Sequence, residues 1–157
     1  MTLRQLAVAQ FGKPQGALGH LAGLIMATRP SNRSRNAWTV DLLRLRPGDR
    51  VLEIGCGPGL AIALAAAQAT KGKIIGIDHS PVMIRQAEMR NRQAIEEGRV
   101  ELIVGGLDRL ERMVDRFDKI YSVNVVQFLA NRAAFFTQAS AMLKPASVLA
   151  TTYMPRS

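Results

Sequence analysis

After residue 50 the chain alternates between two kinds of segment, and this alternation limits the fold more than any other feature. Short runs rich in Val and Ile occur at Val51–Ile54, Lys73–Ile77, Val100–Val104, Lys119–Val123 and Ser147–Tyr153. Longer stretches with helical spacing lie between them. The short runs are nearly all apolar, as strands are when both faces of their sheet are covered. The pattern predicts an α/β fold: a doubly wound, mostly parallel sheet with helices on both faces. In such sheets ligands bind beyond the carboxyl ends of the strands, where the strand order reverses. Functional residues are therefore sought just after each run.

Local punctuation supports the same division. Pro47-Gly48 marks a turn before the first run. Gly72 is placed as the C-terminal stop of an alanine-rich helix. Ser80-Pro81 reads as N-cap and first helical residue of a helix that runs to about Glu97, with Gly98 ending it. Asn131 caps a helix over Arg132–Leu143, stopped by Pro145. Before residue 50 the chain is helical and amphipathic in pieces. Leu18, Leu21, Leu24 and Ile25 share one helical face, and Trp38 and Leu42 are spaced alike. These helices are expected to cover the sheet. The expected organisation is a helical cap over residues 1–46 and a sheet domain over 47–157, one structural domain overall.

Composition narrows the chemistry. Cys56 is the only cysteine, which excludes an internal disulfide and a multi-cysteine metal centre. His20 and His79 have no ligand set beside them, so no metal is expected. A reducing, cytoplasmic setting fits. The formal charge is +9 and is uneven. The first 50 residues hold eight Lys/Arg against two acids, and the remainder 13 against ten. A basic start of this kind suits an anionic partner, either a membrane surface or nucleic acid, although a solvated basic face accounts for it equally simply. The segment GALGHLAGLIMA (16–27) is too short to span a bilayer and is expected to be a buried or interfacial helix.

The sharpest local feature is VLEIGCGPG (51–59) followed by an alanine-rich helix. Gly55, Gly57 and Gly59 suit a tight turn against a ligand, with the amide-rich start of the helix nearby. The spacing is G-x-G-x-G. A dinucleotide fingerprint would want a glycine where Leu60 stands, and a phosphate-binding Walker loop would need a Gly-Lys-Ser/Thr that is absent. Asp78 ends the second run and is placed to accept both hydroxyls of a ribose.

With these residues in view, the chain resembles the class I S-adenosylmethionine-dependent methyltransferases. The matching stretches are VLEIGCGPG (51–59), IIGIDHSPVMIRQA (74–87), FDKIYSVNVVQFL (117–129) and MLKPASVLA (142–150). The likeness spans about residues 36 to 153, in the right order and spacing. It is nearest to the branch that methylates quinones, lipids and other metabolites. It implies a Rossmann-like fold and S-adenosyl-L-methionine as cofactor. Residue by residue, it makes Glu53 the acid near the methionine amino group. Gly55, Cys56, Gly57 and Gly59 would run along the methionine and ribose, with Asp78 as the ribose ligand. His79 and Met83 match positions that pack against adenine. Residues 105–107, with Gly106 and Leu107, match the loop that reads the adenine amino group, and Asn124 matches a position facing the methionine and the methyl group. Asn124 and Gln127 are the catalytic candidates, with His20 and Tyr121 as further neighbours of the acceptor. Cys56 is expected to be only a small loop residue.

Two departures stand out. The adenine loop of the family commonly carries Gly-Asp, where this chain has Gly105-Gly106-Leu107-Asp108. Asp108 or backbone groups are then expected to take over. The Lys-Pro-Gly-Gly before the fifth strand reads Lys144-Pro145-Ala146-Ser147. The family sheet has seven strands in the order 3-2-1-4-5-7-6, and this sequence supplies five, with the sixth and seventh missing. The fifth strand is then an edge to be covered by rearranged helices, a second copy or another subunit. The expected activity is in-line methyl transfer to a small molecule or lipid, in the cytoplasm or peripheral to an anionic membrane. The alternatives are an RNA methyltransferase, disfavoured because the fourth-strand motif lacks Asn/Asp-Pro-Pro-aromatic, or a truncated cofactor-binding or regulatory subunit.

Overall fold

The computed structural model describes residues 30–110, 113 and 115–153. His20, segment 16–27 and most of the expected N-terminal cap lie outside them. The elements are α1 (Pro30–Leu43), β1 (Arg50–Ile54), α2 (Leu60–Gln68), β2 (Lys73–Asp78), α3 (Pro81–Arg90), α4 (Arg92–Glu96), β3 (Val100–Val104), β4 (Phe117–Val123), α5 (Arg132–Ala141) and β5 (Leu143–Thr152). Short 3-10 turns follow β3 at Leu107–Leu110 and β4 at Val126–Phe128.

The strands form one sheet in the order β3-β2-β1-β4-β5, and every pairing is parallel. Between β1 and β4 the order reverses, so the two loops that leave these strands diverge and open a crevice. Alternate side chains feed two cores, one on each face. Val51, Ile74, Tyr121 and Val123 pack with Val40, Leu43, Ala61, Ile62 and Ala65 from α1 and α2. Leu52, Ile54, Ile75, Ile77 and Ile120 pack on the other face with Phe135 and Ala139 of α5. The expected doubly wound architecture is thus present, with five strands among the described residues.

The helix starts follow the sequence. Ser80 accepts the Met83 N–H at 3.4 Å, and Asn131 accepts the Ala134 N–H at 3.0 Å. Other boundaries differ, each for a physical reason. The helix expected from Pro81 to Glu97 is broken at Asn91 (φ −108°, ψ 16°). There the side-chain amide donates to the carbonyls of Ala87 and Gly59 at 2.9 and 3.1 Å. The last helix stops at Ala141 instead of Leu143, because Leu143 already pairs with Phe117 and begins β5. The ladder is irregular over the next residues and resumes at Val148, where Ala146 takes φ 58°. Gly72 is not a left-handed helix stop, since its φ is not positive and α2 ends earlier at Gln68. It is required for a different reason: a Cβ there would lie 2.1 Å from the Asp49 carbonyl oxygen.

The buried face of α1 also differs from the apolar spacing. Asn36, Thr39, Val40 and Leu43 are buried, while Trp38 and Leu42 are 58% and 52% exposed. The polar pair tolerates burial because each side chain bonds a carbonyl one turn back. Asn36 Nδ2 donates to Asn32 O and Thr39 Oγ1 to Arg35 O, both at 2.7 Å.

Candidate active site

Loops from the carboxyl ends of β1, β2, β3 and β4 meet over the crevice. The turn after β1 is pinned to β2 by the N–H groups of Gly55 and Cys56, which share the Ile77 carbonyl at 2.8 and 3.1 Å. Gly57 (φ 52°) donates its N–H to Asp78 Oδ2 at 2.9 Å, and the space where its Cβ would be is open. This left-handed residue therefore presents bare backbone to the crevice. Gly59 (φ 76°) is constrained from behind: a Cβ would sit 2.6 Å from Asn91 Nδ2 and 2.7 Å from Ala87 Cβ. Arg90 Nε also donates to the Pro58 carbonyl at 3.0 Å. Asn91 and Arg90 hold the outer wall of the turn, a role that no spacing in the sequence announces.

Asp78 is half-buried, and its other oxygen accepts the Ser80 N–H at 2.8 Å. Burial raises its pKa, and the amides of Ser80 and Gly57 pull against that rise. Each oxygen of the carboxylate thus accepts one backbone N–H and keeps capacity for another donor. His79 is exposed. Gly106 allows the imidazole to lie against the loop after β3, since a Cβ there would be 2.9 Å from His79 Cε1. The Asp78 carbonyl accepts the Gly105 N–H at 2.9 Å, tying this loop to β2. Met83 is 1% exposed and belongs to the interior. Leu107 packs into the core on the α5 face. It also lines a cavity of about 280 Å³ shared with Phe117 and Met142, near the amino ends of β4 and β5. That cavity lies away from the crevice, so its size does not make it the site.

Glu53 faces the α1–α2 side of the sheet and is buried. Its register partner on β4 is Tyr121, whose O–H donates to Glu53 Oε2 at 3.0 Å. Burial pushes the Glu53 pKa well up, opposed by the Tyr121 bond and reinforced by Asp78. Tyr121 is fully buried and its hydroxyl is likewise pushed up, first by burial and then by Glu53. The expectation that Tyr121 neighbours the acceptor is therefore corrected: it stands inside the sheet as the partner of Glu53. The Cys56 thiol is raised by burial and by both acids, so it stays protonated. Its sulfur fills space left by Gly76, where a Cβ would lie 2.8 Å from Leu102 Cδ2, 2.9 Å from Ile62 Cδ1 and 3.1 Å from Cys56 Sγ.

The loop after β4 closes the crevice opposite. Val125 packs on the first turn, its Cγ2 only 2.5 Å from where a Gly55 Cβ would be. Asn124 has φ 58°, and its N–H bonds the Thr152 carbonyl at 2.7 Å. Its side-chain amide is held by α1: Oδ1 accepts from Arg35 Nη1 and Nδ2 donates to Asn32 Oδ1, both at 3.0 Å. Thr39 and Thr152 share a hydroxyl bond at 2.7 Å beside them. Gln127 is half-buried, and its Oε1 has no hydrogen-bond partner among the described residues. The sequence singles out Asn124 but not Arg35, Asn32 and Thr39, which the fold brings beside it. Their only advance signal was the basic, polar run that opens α1.

This strand order, with its ligand crevice between β1 and β4 and a glycine turn bound to the acid ending β2, is the layout of the class I methyltransferases. Members of that class take their methyl group from S-adenosylmethionine. The sequence profile of the methyltransferase domain matches residues 51–146, and the chain belongs to that family. It is 31% identical, over 87% of its length, to the uncharacterized methyltransferase YdaC of Bacillus subtilis (strain 168), and spans 72% of that protein. It is 34% identical over 74% of its length to a trans-aconitate 2-methyltransferase of Azoarcus sp. (strain BH72), spanning 44% of it. The fold matches that of the plantazolicin methyltransferase BpumL, solved with a desmethylPZN analog and SAH. The TM-score there is 0.72 at 18% identity, covering 96% of this chain and 58% of that one. The chain thus spans about half the length of the last two proteins.

Proposed function

We propose that the protein transfers a methyl group from S-adenosylmethionine to a small-molecule or lipid acceptor in the crevice above β1 and β4. The observation that carries this is the Gly57–Asp78 clasp: open left-handed backbone beside a half-buried carboxylate, each oxygen of which accepts one backbone N–H and keeps capacity for another donor. A ribose diol is the partner that such a carboxylate suits. His79, on the loop side of Asp78, offers an imidazole face to the adenine, with Gly106 beside it. Glu53 and the turn through Gly55 and Cys56 are assigned to the methionine end, and Asn124 to the reacting methyl. Gln127 is assigned to the acceptor side, where its unpaired oxygen can accept a bond from the acceptor. The small-molecule acceptor is supported by the trans-aconitate enzyme among the relatives.

S-adenosylmethionine supplies a methyl group on a sulfonium, already activated for in-line displacement. The chain's own residues then have mainly to bind, align and exclude water. Gly57 allows close approach of the ligand to the main chain, Gly55 lets Val125 pack on the turn, Asp78 fixes the ribose, and the α1–Asn124 contacts close the far end. Nothing in this arrangement requires a nucleophile from the protein, and the protonated, buried Cys56 is unsuited to be one. A cytoplasmic location, at a membrane surface for a lipid acceptor, is part of the proposal.

Calorimetry with S-adenosylmethionine and S-adenosylhomocysteine tests it. The wild type should bind both, and Asp78→Asn should weaken them roughly 10- to 100-fold, the range for losing hydrogen bonds to a charged group. Absence of binding to the wild type overturns the proposal.

A further inference from the structure

Arg35 is the one charged side chain that α1 sends to the crevice end of β4. It is half-buried, and Nη1 donates to Asn124 Oδ1 at 3.0 Å. Among the described residues no carboxylate lies within ion-pair distance of it. A guanidinium has five N–H donors in a rigid fork, and this one uses a single nitrogen on a neutral amide. A partly buried charge without a counter-ion is costly. Such a group is complete only when an anion meets it.

The helix that carries Arg35 is firmly placed. The Arg35 carbonyl accepts from Thr39, Thr39 bonds Thr152 at the end of β5, and Asn32 and Arg35 grip the two ends of one Asn124 amide. The guanidinium is therefore oriented before any ligand arrives. Its place along the crevice also follows from the sheet. Asp78 ends β2, the glycine turn leaves β1 and Asn124 follows β4, so these mark a line across the strand order from adenosine to methyl. Arg35 meets that line at Asn124, and its helix is anchored to β5 one turn further on by the Thr39–Thr152 bond.

We propose that Arg35 recognises a carboxylate of the methyl acceptor at this end of the crevice. The inference rests on the methyltransferase reading above. The other carboxylate able to reach a guanidinium here belongs to the methionine part of the cofactor, and the test separates the two.

The full chain, saturated with S-adenosylhomocysteine, is titrated with tricarballylate and hexanoate and with the neutral amides of both, followed by 1H–15N NMR. The acids should bind and shift the Asn124 side-chain amide, and the amides should not. Arg35→Gln should weaken the acids roughly 10- to 100-fold. Asn32→Asp should do the same while leaving Arg35 in place, because it puts a competing carboxylate three positions from Arg35 on the same helix and its oxygen still accepts from Asn124. S-adenosylhomocysteine affinity should stay within about twofold in both variants, a change too small to represent a lost charged hydrogen bond. Equal binding of acids and amides, or binding of neither, overturns the proposal. If Arg35→Gln weakens S-adenosylhomocysteine but not 5′-methylthioadenosine, the guanidinium serves the cofactor and the acceptor assignment falls. If it weakens both nucleosides alike, Arg35 is a structural latch and the proposal falls as well. Failure of the wild type to bind S-adenosylhomocysteine at all is a separate result, and counts against the cofactor.

Discussion

The acids of the crevice differ in what holds them. Asp78 is secured by two backbone N–H groups, whereas Glu53 has one, from Ile62, together with a buried hydroxyl and a neighbouring acid. Burial makes the folded chain hold the Glu53 proton to higher pH than the unfolded chain does. Above the ordinary carboxylate value of about 4.3, the folded state then binds more protons, and stability falls as pH rises towards the folded value. Glu53→Gln removes this slope, and its amide oxygen can still accept from Tyr121. Thermal melts from pH 4 to 8 should show the variant level with wild type at the acid end. It should be more stable by about 1 kcal/mol, or roughly 3 °C, at neutral pH. Parallel pH profiles would contradict the assignment. Cys56 provides a second check. Its buried, raised thiol should resist a thiol reagent at pH 8 in the folded protein and react only as the chain unfolds in denaturant. Rapid labelling of native protein would show that the first turn opens locally.

At the scale of elements, the sequence could be read wherever the cause is local. Ser80 and Asn131 act on amides three positions ahead, so their capping is visible in a short window. The strands are visible because Val and Ile crowd them. The break at Asn91 was not, because one of its partners, the Gly59 carbonyl, is 32 positions away. The buried face of α1 was hidden by chemistry: Asn36 and Thr39 satisfy themselves on their own helix and go inside, while Trp38 stays out. The Glu53–Tyr121 and Arg35–Asn124 pairs depend on strand register and helix docking, which no spacing encodes. The entry to β5 carries a departure that was legible. Ala146 stands at φ 58°, in the region that favours glycine, and it is exposed. Ala146→Gly should therefore stabilise the chain by about 1 kcal/mol, the lower end of the cost of a left-handed residue with a side chain. Chemical denaturation should show a higher midpoint with an unchanged slope. A lower midpoint would mean that the bend is not strained.

For the whole molecule, the sheet separates two cores, one on each face, and both supply loops at the carboxyl ends of the strands. A ligand spanning those loops binds only when both cores are in place. S-adenosylhomocysteine at 100 times its Kd should add about 2.7 kcal/mol and raise Tm by roughly 5–10 °C. Asp78→Asn should lose most of that shift at the same concentration, and an equal shift in both would place the ligand elsewhere. The far side of the sheet is managed differently. Among the described residues β5 pairs only with β4, and Lys144, Pro145 and the bend at Ala146 blunt the start of its free edge. The missing side chain at Gly76 has the widest reach. The hollow it leaves in β2 is occupied by sulfur from the first turn, by Ile62 of α2 and by Leu102 of β3. Three elements thus draw on one small volume. Positions 56 and 76 are a socket and its plug. Atoms added at one must be surrendered at the other, or the turn that faces the ligand is lifted off the strand beneath it.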